Sequence, residues 1–288
     1  MDDIRRPVFT GSWYPGDAQG CRAEIEAFLA DAPEGDYRNR SWLGGIVPHA
    51  GWYFSGQIAC NTIAALKDED PIDLVVLFGM HLHPGSANYL MPRGRWGTPL
   101  GDMPVAEELA EELMGRFAFQ KESPRRFNRD NTIELQMPFV KALLDPAQIL
   151  ALGVPPTVTS LAIGRTVADW ALQKGLRTKI IGSTDLTHYG RNYDFTPHGS
   201  GAQALAWVRN ENDRRVIDAM AAMDSERIIN EGLDHQNACC AGAVAAAVAA
   251  LQRLGADTAH QVAYATSHDR IPGESFVGYV GMLFGHID

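Results

Sequence analysis

Along the chain, short apolar runs alternate with longer stretches in which apolar positions recur every three or four residues. The short runs are "GGIV" (44–47), "DLVVLF" (73–78), "QILALGV" (148–154), "KIIGS" (179–183), "QVAYAT" (261–266) and "FVGYVGMLF" (276–284). Most are continuously apolar rather than alternating, the pattern of strands covered on both faces. The longer stretches predict helices near 17–31, 55–66, 104–117, 131–143, 164–175, 201–223 and 238–254. Strand and helix signals in this alternation predict an α/β fold, with a central mixed or parallel β-sheet flanked by helices. Only the Ala-rich stretch 241–250 approaches low complexity, and it reads as helix. With no linker or repeat in 288 residues, the expectation is a single domain over 1–288.

Charge narrows the function classes. A formal net charge of -10 and a pI near 5.3 argue against a phosphate-collecting surface, so no nucleic-acid partner is expected. The one basic cluster, Arg125, Arg126 and Arg129, reads as a solvated loop. The start "MDDIRRPVF" has no apolar signal-peptide core, and no apolar run nears the ~20 residues of a membrane span. A cytoplasmic protein without membrane association is the expectation. Cys21, Cys60, Cys239 and Cys240 form no C-x-x-C pair and are too few for a secreted disulfide framework, so they are read as reduced thiols.

In α/β folds ligands gather beyond the carboxyl ends of the strands. Each central run here is followed by chemistry-bearing residues: "GGIV" by His49, "DLVVLF" by His81 and His83, and "KIIGS" by Asp185 and His188. Neutral imidazole is a ligand for iron, zinc and copper, and an open metal site needs about three protein donors. Cys239 is a candidate third donor, because "HQNACCAGAVAAAVAALQRLG" reads as a helix starting after an Asn237 N-cap. A thiol in the first turn would feel the positive end of the helix dipole and ionise more readily. Adjacent helical residues point about 100° apart, so Cys239 and Cys240 are not expected to face one site. Asp185, three residues before His188, suits a carboxylate that fixes an imidazole tautomer for acid–base work or supports a metal ligand.

Taken in order, "TGSWYPGD" (10–17), "VPHAGWYFSG" (47–56), "FGMHLHP" (78–84), "GTPLGDMPV" (97–105), "NTIELQMPFV" (131–140), "STDLTHYG" (183–190), "ACCAGAVAA" (238–246), "YATS" (264–267) and "VGYVG" (277–281) form a recognisable series. The chain resembles the Memo family, whose bacterial and archaeal members are also called AmmeMemoRadiSam system protein B. The resemblance implies a fold like that of class III extradiol dioxygenases, non-haem iron enzymes that open catechol rings. It implies one iron or copper ion on His49, His81 and Cys239, with His188 in the place of the dioxygenases' catalytic histidine and Asp185 beside it. Trp13, Trp52 and Tyr53 are expected as pocket walls. Three positions depart from the family's pattern. Phe78-Gly79-Met80-His81 replaces Gly-Pro-Ser/Asn-His, leaving His83 as a substitute ligand. Asp130-Asn131-Thr132 replaces Glu-His-Ser. Cys239-Cys240 replaces Cys-Gly.

The leading functional expectation is a metalloprotein of redox or oxygen chemistry, acting as a dioxygenase-like oxidoreductase on an unidentified small molecule. A thiolate in place of a carboxylate softens the site towards copper. A non-catalytic metal- or peptide-binding module and a Cys239–His188–Asp185 thiol hydrolase are the alternatives. The family resemblance also implies AMMECR-type and radical-SAM partner proteins.

Overall fold

A computed structural model of the chain describes residues 3–32, 35, 37 and 40–286. Its strands are β1 (Ile4–Arg5), β2 (Trp42–Val47), β3 (Leu74–Gly79), β4 (Asn88–Leu90), β5 (Arg95–Thr98), β6 (Gly101–Pro104), β7 (Phe119–Lys121), β8 (Gln148–Gly153), β9 (Thr178–Ser183), β10 (His188–Tyr189), β11 (Thr258–Thr266) and β12 (Phe276–Gly285). Its α-helices are α1 (Ala18–Ala30), α2 (Gln57–Ala64), α3 (Glu107–Arg116), α4 (Asn131–Glu134), α5 (Met137–Leu143), α6 (Val158–Lys174), α7 (Ala202–Trp207), α8 (Asp213–Ala221), α9 (Ser225–His235) and α10 (Ala241–Arg253). A nine-stranded mixed sheet runs β10-β12-β2-β9-β3-β8-β4-β7, with β11 paired to β12; β1, β5 and β6 form a separate three-stranded sheet. Strands β2, β9, β3 and β8 are mutually parallel, and β12 and β4 flank them antiparallel.

The continuous apolar runs are explained by cover on both faces. Successive strand residues point to opposite sides of a sheet. A Cβ on Gly44 would meet Leu251 of α10, and one on its neighbour Gly45 would meet Thr62 of α2, so these helices cover opposite faces. The Ala-rich stretch is the innermost helix: every residue from Ala241 to Leu251 is buried. Its small side chains allow α6 to approach so closely that a Cβ on Gly164 would lie 2.1 Å from the Ala246 carbonyl oxygen.

Several helix boundaries differ from the periodicity. The expected helix 55–66 is preceded by one π-helical turn, Trp52–Gly56, before α2 begins. Position 104 closes β6, and α3 starts three residues later. The expected helix 131–143 is two short helices, with Pro138 in the first turn of the second. Helix α6 starts at Val158 rather than 164, because Thr157 stays extended after Pro155-Pro156; it ends at left-handed Gly175. A π-helical turn, Val208–Asn212, interrupts 201–223. Helix α9 escaped the reading: charged residues surround its buried Ile228 and Ile229, and Gly232 dilutes the signal. The helix expected over 238–254 begins only at Ala241, with Cys240 at the N-cap. The short strands β1, β4, β5, β6, β7 and β10, of two to four residues, are too brief to show a period.

Candidate metal centre

Parallel strands β2, β9 and β3 lie side by side, with Val47 opposite Ser183 and Gly182 opposite Phe78. Their carboxyl ends are therefore level. The residues that follow, His49, Asp185 and His81, arrive at one place although 136 positions separate the first two. Cys239 reaches it from the connection between α9 and α10. His49 Nε2 lies 3.2 Å from His81 Nε2 and 3.3 Å from Cys239 Sγ. Together with Cys240, the donor atoms all fall within 4.8 Å of one another.

The tautomer of His49 follows from its neighbours. The Ser183 hydroxyl donates to the Thr132 carbonyl at 2.7 Å, so towards His49 Nδ1, 3.0 Å away, it can only accept. Nδ1 therefore carries the hydrogen and Nε2 turns its lone pair to the donor cluster. The His49 backbone N–H donates to Asp185 Oδ1 at 2.7 Å, and Asn131 donates to the His49 carbonyl at 3.0 Å. A 1 % exposed imidazole is thus fixed at backbone and ring. His81 is more open, with its Nδ1 3.8 Å from Asp130 Oδ2.

Lone pairs and a sulfur directed at one point need a positive charge between them. Without an ion, protons supply it. Burial opposes a charged His49, but Asp185 and the Cys239 thiolate outweigh burial and raise the imidazole to about 9. Burial also opposes the Cys239 thiolate; a hydrogen bond from Cys240, the His49 charge and bonds from both histidines nonetheless hold this thiol well below its ordinary value. The Asp185 backbone N–H adds a donor at 3.3 Å. The Cys240 thiol is pushed the other way, well above its ordinary value, by burial and by the neighbouring sulfur. Two imidazoles and a ready thiolate are a donor set that fits a borderline or soft metal ion.

The segment 130–136 braces the centre. Met80 adopts a left-handed conformation, φ 73°, directly before His81. Its N–H is held by Thr132 Oγ1 at 2.7 Å, and its side chain packs over Gly153, where a Cβ would lie 2.2 Å from the Met80 sulfur. Gln136 donates to the Pro48 carbonyl at 2.9 Å. Buried Glu134 accepts the N–H groups of Val8 and Phe9 and the Tyr14 hydroxyl, which docks the 8–14 segment and with it Trp13.

Above the donors opens a cleft of about 680 Å³, with His49, His81, Asp185 and His188 at its polar end and Trp13, Tyr53, Phe54, Tyr193, Ile271 and Tyr279 among its walls. A smaller cavity of about 280 Å³ reaches Cys239 from the side of Gln236, with His188 and Tyr193 shared between the two. His188 Nδ1 is 3.1 Å from the Leu186 carbonyl, so Nδ1 bears a hydrogen and donates there, which leaves Nε2 as the ring nitrogen available to the cleft. Behind it, Thr187 is anchored by its N–H to the buried Asp213 carboxylate at 3.0 Å, which Tyr264 also bonds at 2.7 Å.

Five placements bear on the expectations. Trp52 is core, stacked on Phe139 at 4.1 Å and donating to the Leu135 carbonyl, and does not line the cleft. His83 is exposed, its ring accepting the Gly85 N–H. Asp185 engages His49 rather than His188, whose ring is oriented by a backbone carbonyl. Asn237 does not cap α10; its side chain donates to the Asn212 carbonyl and Glu231. Cys239 therefore stands before the helix, and its acidity comes from the histidines and hydrogen bonds rather than from a first-turn dipole. The two thiols do face one site, 3.7 Å apart, because non-helical backbone at Cys240 (φ -127°, ψ 49°) replaces the helical 100° step. Ser183 stood at the end of the run "KIIGS", and Asp130 and Thr132 in the stretch that departs from the family's pattern; nothing local announced their partners.

The fold and this centre define an α/β protein with a His/His/Cys donor cluster at the carboxyl edge of a mixed sheet. A family profile described as Memo, Memo-like protein, matches residues 5–283, and the chain belongs to that family. It is similar to a MEMO1 family protein of Pyrococcus horikoshii, 29% identical over 290 residues that cover 97% of this chain and 98% of the relative. It is also similar to one of Methanosarcina acetivorans, 31% identical with 98% and 99% covered. Among solved structures, an uncharacterized protein, JW3007, from Escherichia coli K12 shares the fold at 12% identity, with a TM-score of 0.52 over 84% of this chain and 99% of that one. Among the described residues, no helix is long and apolar enough to cross a membrane.

Proposed function

We propose that His49, His81 and Cys239 hold one iron or copper ion and that the protein carries out redox or oxygen chemistry on a small molecule bound in the cleft. The observation that carries this reading is the convergence of His81 Nε2, at 3.2 Å, and Cys239 Sγ, at 3.3 Å, on His49 Nε2, beneath a cleft large enough for a ligand. When bound, such an ion supplies Lewis acidity and an electron relay towards oxygen or a chelating substrate. The protein's own groups do the rest. Ser183 and Asp185 keep His49 in one tautomer and one orientation, and His188 Nε2 takes or returns a proton at the substrate. The aromatic walls exclude water and favour a flat or apolar-bodied ligand. AMMECR-type and radical-SAM proteins are the partners this reading brings.

A thiol-based hydrolase is the second reading, favoured by the depressed Cys239 thiol. Its imidazole partner at 3.3 Å is His49, however, while Asp185 is not bonded to His188. Metal analysis by mass spectrometry separates the two, on protein purified anaerobically without chelating resin. Near-stoichiometric iron or copper in the wild type that is lost in Cys239→Ser and His49→Ala is the expected result. No metal in any variant after anaerobic reconstitution overturns the proposal and leaves the thiol chemistry.

A further inference from the structure

We infer that Cys240 is a fourth donor to the same ion, which gives this chain a two-sulfur, two-nitrogen set. The inference rests on the metal-centre reading above and deepens it. Two sulfurs on one tetrahedral ion at about 2.3 Å lie about 3.8 Å apart, and two nitrogens at about 2.05 Å lie about 3.3 Å apart. Cys239 Sγ and Cys240 Sγ are 3.7 Å apart, and the two Nε2 atoms 3.2 Å. Both like-atom edges already have the spacing of ligands sharing an ion.

The backbone turns this sulfur inward. Cys240 occupies the N-cap of α10, where Ser, Thr, Asp or Asn would bond the first free N–H groups, yet its side chain makes no capping bond. Its own N–H is tied to Thr184 Oγ1 at 3.1 Å, and the same hydroxyl lies 3.7 Å from Cys239 Sγ, so both cysteines are pinned to the loop after β9. Cys240 is 2 % exposed and lines neither cavity. Its sulfur therefore approaches from the buried side, opposite the cleft.

Two thiolates and two imidazoles form a soft donor set of the kind that takes zinc or copper(I), and copper(I), one of the ions of the parent reading, is the probe that counts the sulfurs. Binding is balanced by proton release: the ion replaces the Cys240 proton, which passes to solvent, with no change of oxidation state.

The experiment is an anaerobic titration of the full-length protein with copper(I) against a chromophoric cuprous chelator, combined with copper K-edge X-ray absorption. Wild type, Cys240→Ser, Cys240→Ala, Cys239→Ser and His49→Ala are compared, and circular dichroism confirms that each is folded. The expected wild-type spectrum contains two sulfur scatterers. Both Cys240 variants show one, and bind at least about 10-fold more weakly, since even outer-shell partners of a metal are worth that much. One sulfur in the wild type, or Cys240 variants with unchanged sulfur count and affinity, overturns the fourth-ligand inference while leaving the three-ligand site intact. Failure of the wild type itself to bind copper(I) overturns the inference, since two converging thiolates would hold that ion, and iron on the wild type that is lost in Cys239→Ser would still uphold the parent reading.

Discussion

Ser183→Ala isolates the residue that sets the His49 tautomer. The hydroxyl is fully buried between the His49 Nδ1–H, at 3.0 Å, and the Thr132 carbonyl, at 2.7 Å. Alanine suits the end of β9 sterically but leaves a donor and an acceptor without partners. Each buried unsatisfied group costs about 1–3 kcal/mol, so the metal-free protein should lose about 2–4 kcal/mol in urea denaturation. The second effect is functional. An imidazole no longer committed to Nδ1–H presents its Nε2 lone pair only part of the time, and loss of such an orienting bond lowers metal affinity by about 10–100-fold. That corresponds to about 1.4–2.7 kcal/mol, measurable by competition with a chelator. Imidazole ¹⁵N shifts report the tautomer directly. A variant with wild-type denaturation midpoint, wild-type metal affinity and His49 still protonated at Nδ1 would refute the assignment of Ser183 as the orienting group.

Four further outcomes follow from particular contacts. Glu134→Ala strands the N–H groups of Val8 and Phe9 and the Tyr14 hydroxyl; a loss of about 2–4 kcal/mol in thermal stability and earlier proteolysis within 8–14 are expected, and an uncut, equally stable variant contradicts the docking role. Gly164→Val places a branched side chain where even a Cβ would lie 2.1 Å from the Ala246 carbonyl, so at least about 1–3 kcal/mol should be lost as α6 and α10 separate; an unchanged denaturation curve rules this packing out. Burial raises the Asp213 carboxyl to about 6, with Thr187 and Tyr264 partly offsetting it. A carboxyl whose folded value is the higher one holds its proton more tightly when folded. Its contribution is therefore full below the unfolded value of about 3.9 and is lost as pH rises through 6. Asp213→Asn should flatten the fall of unfolding free energy between those pH values by on the order of 3 kcal/mol, and an unchanged slope contradicts the buried carboxyl. In metal-free protein at neutral pH, iodoacetamide should label Cys239 before Cys240, and before Cys21 and Cys60, whose thiols burial pushes up to about 11 and about 12. Mass spectrometry reads the order, and equal labelling would show that no thiolate is held at the centre.

What was legible in the chain follows from what local pattern reports. Buried central strands betray themselves as unbroken apolar runs because both their faces are covered, and "DLVVLF" and "KIIGS" coincide closely with β3 and β9. Amphipathic helices were less secure where the pattern is diluted. Charged residues and Gly232 hid α9, and π-helical turns at Trp52–Gly56 and Val208–Asn212 shifted the register of apolar positions.

The sequence by itself determined the α/β alternation and the delivery of His49, His81 and His188 just after strands. Apolar run length and a breaking proline are local properties, independent of what lies across the molecule. Only the tertiary structure decided which atoms meet. The level ends of β2, β9 and β3 bring His49 within 3.2 Å of His81, and the approach of α10 brings Cys239 across 190 positions to 3.3 Å. Packing likewise sent Trp52 into the core, gave Asp185 to His49 and turned both cysteines to one point. Strand order, register and helix approach are set by the summed burial of the whole core, and no short window of sequence contains that sum.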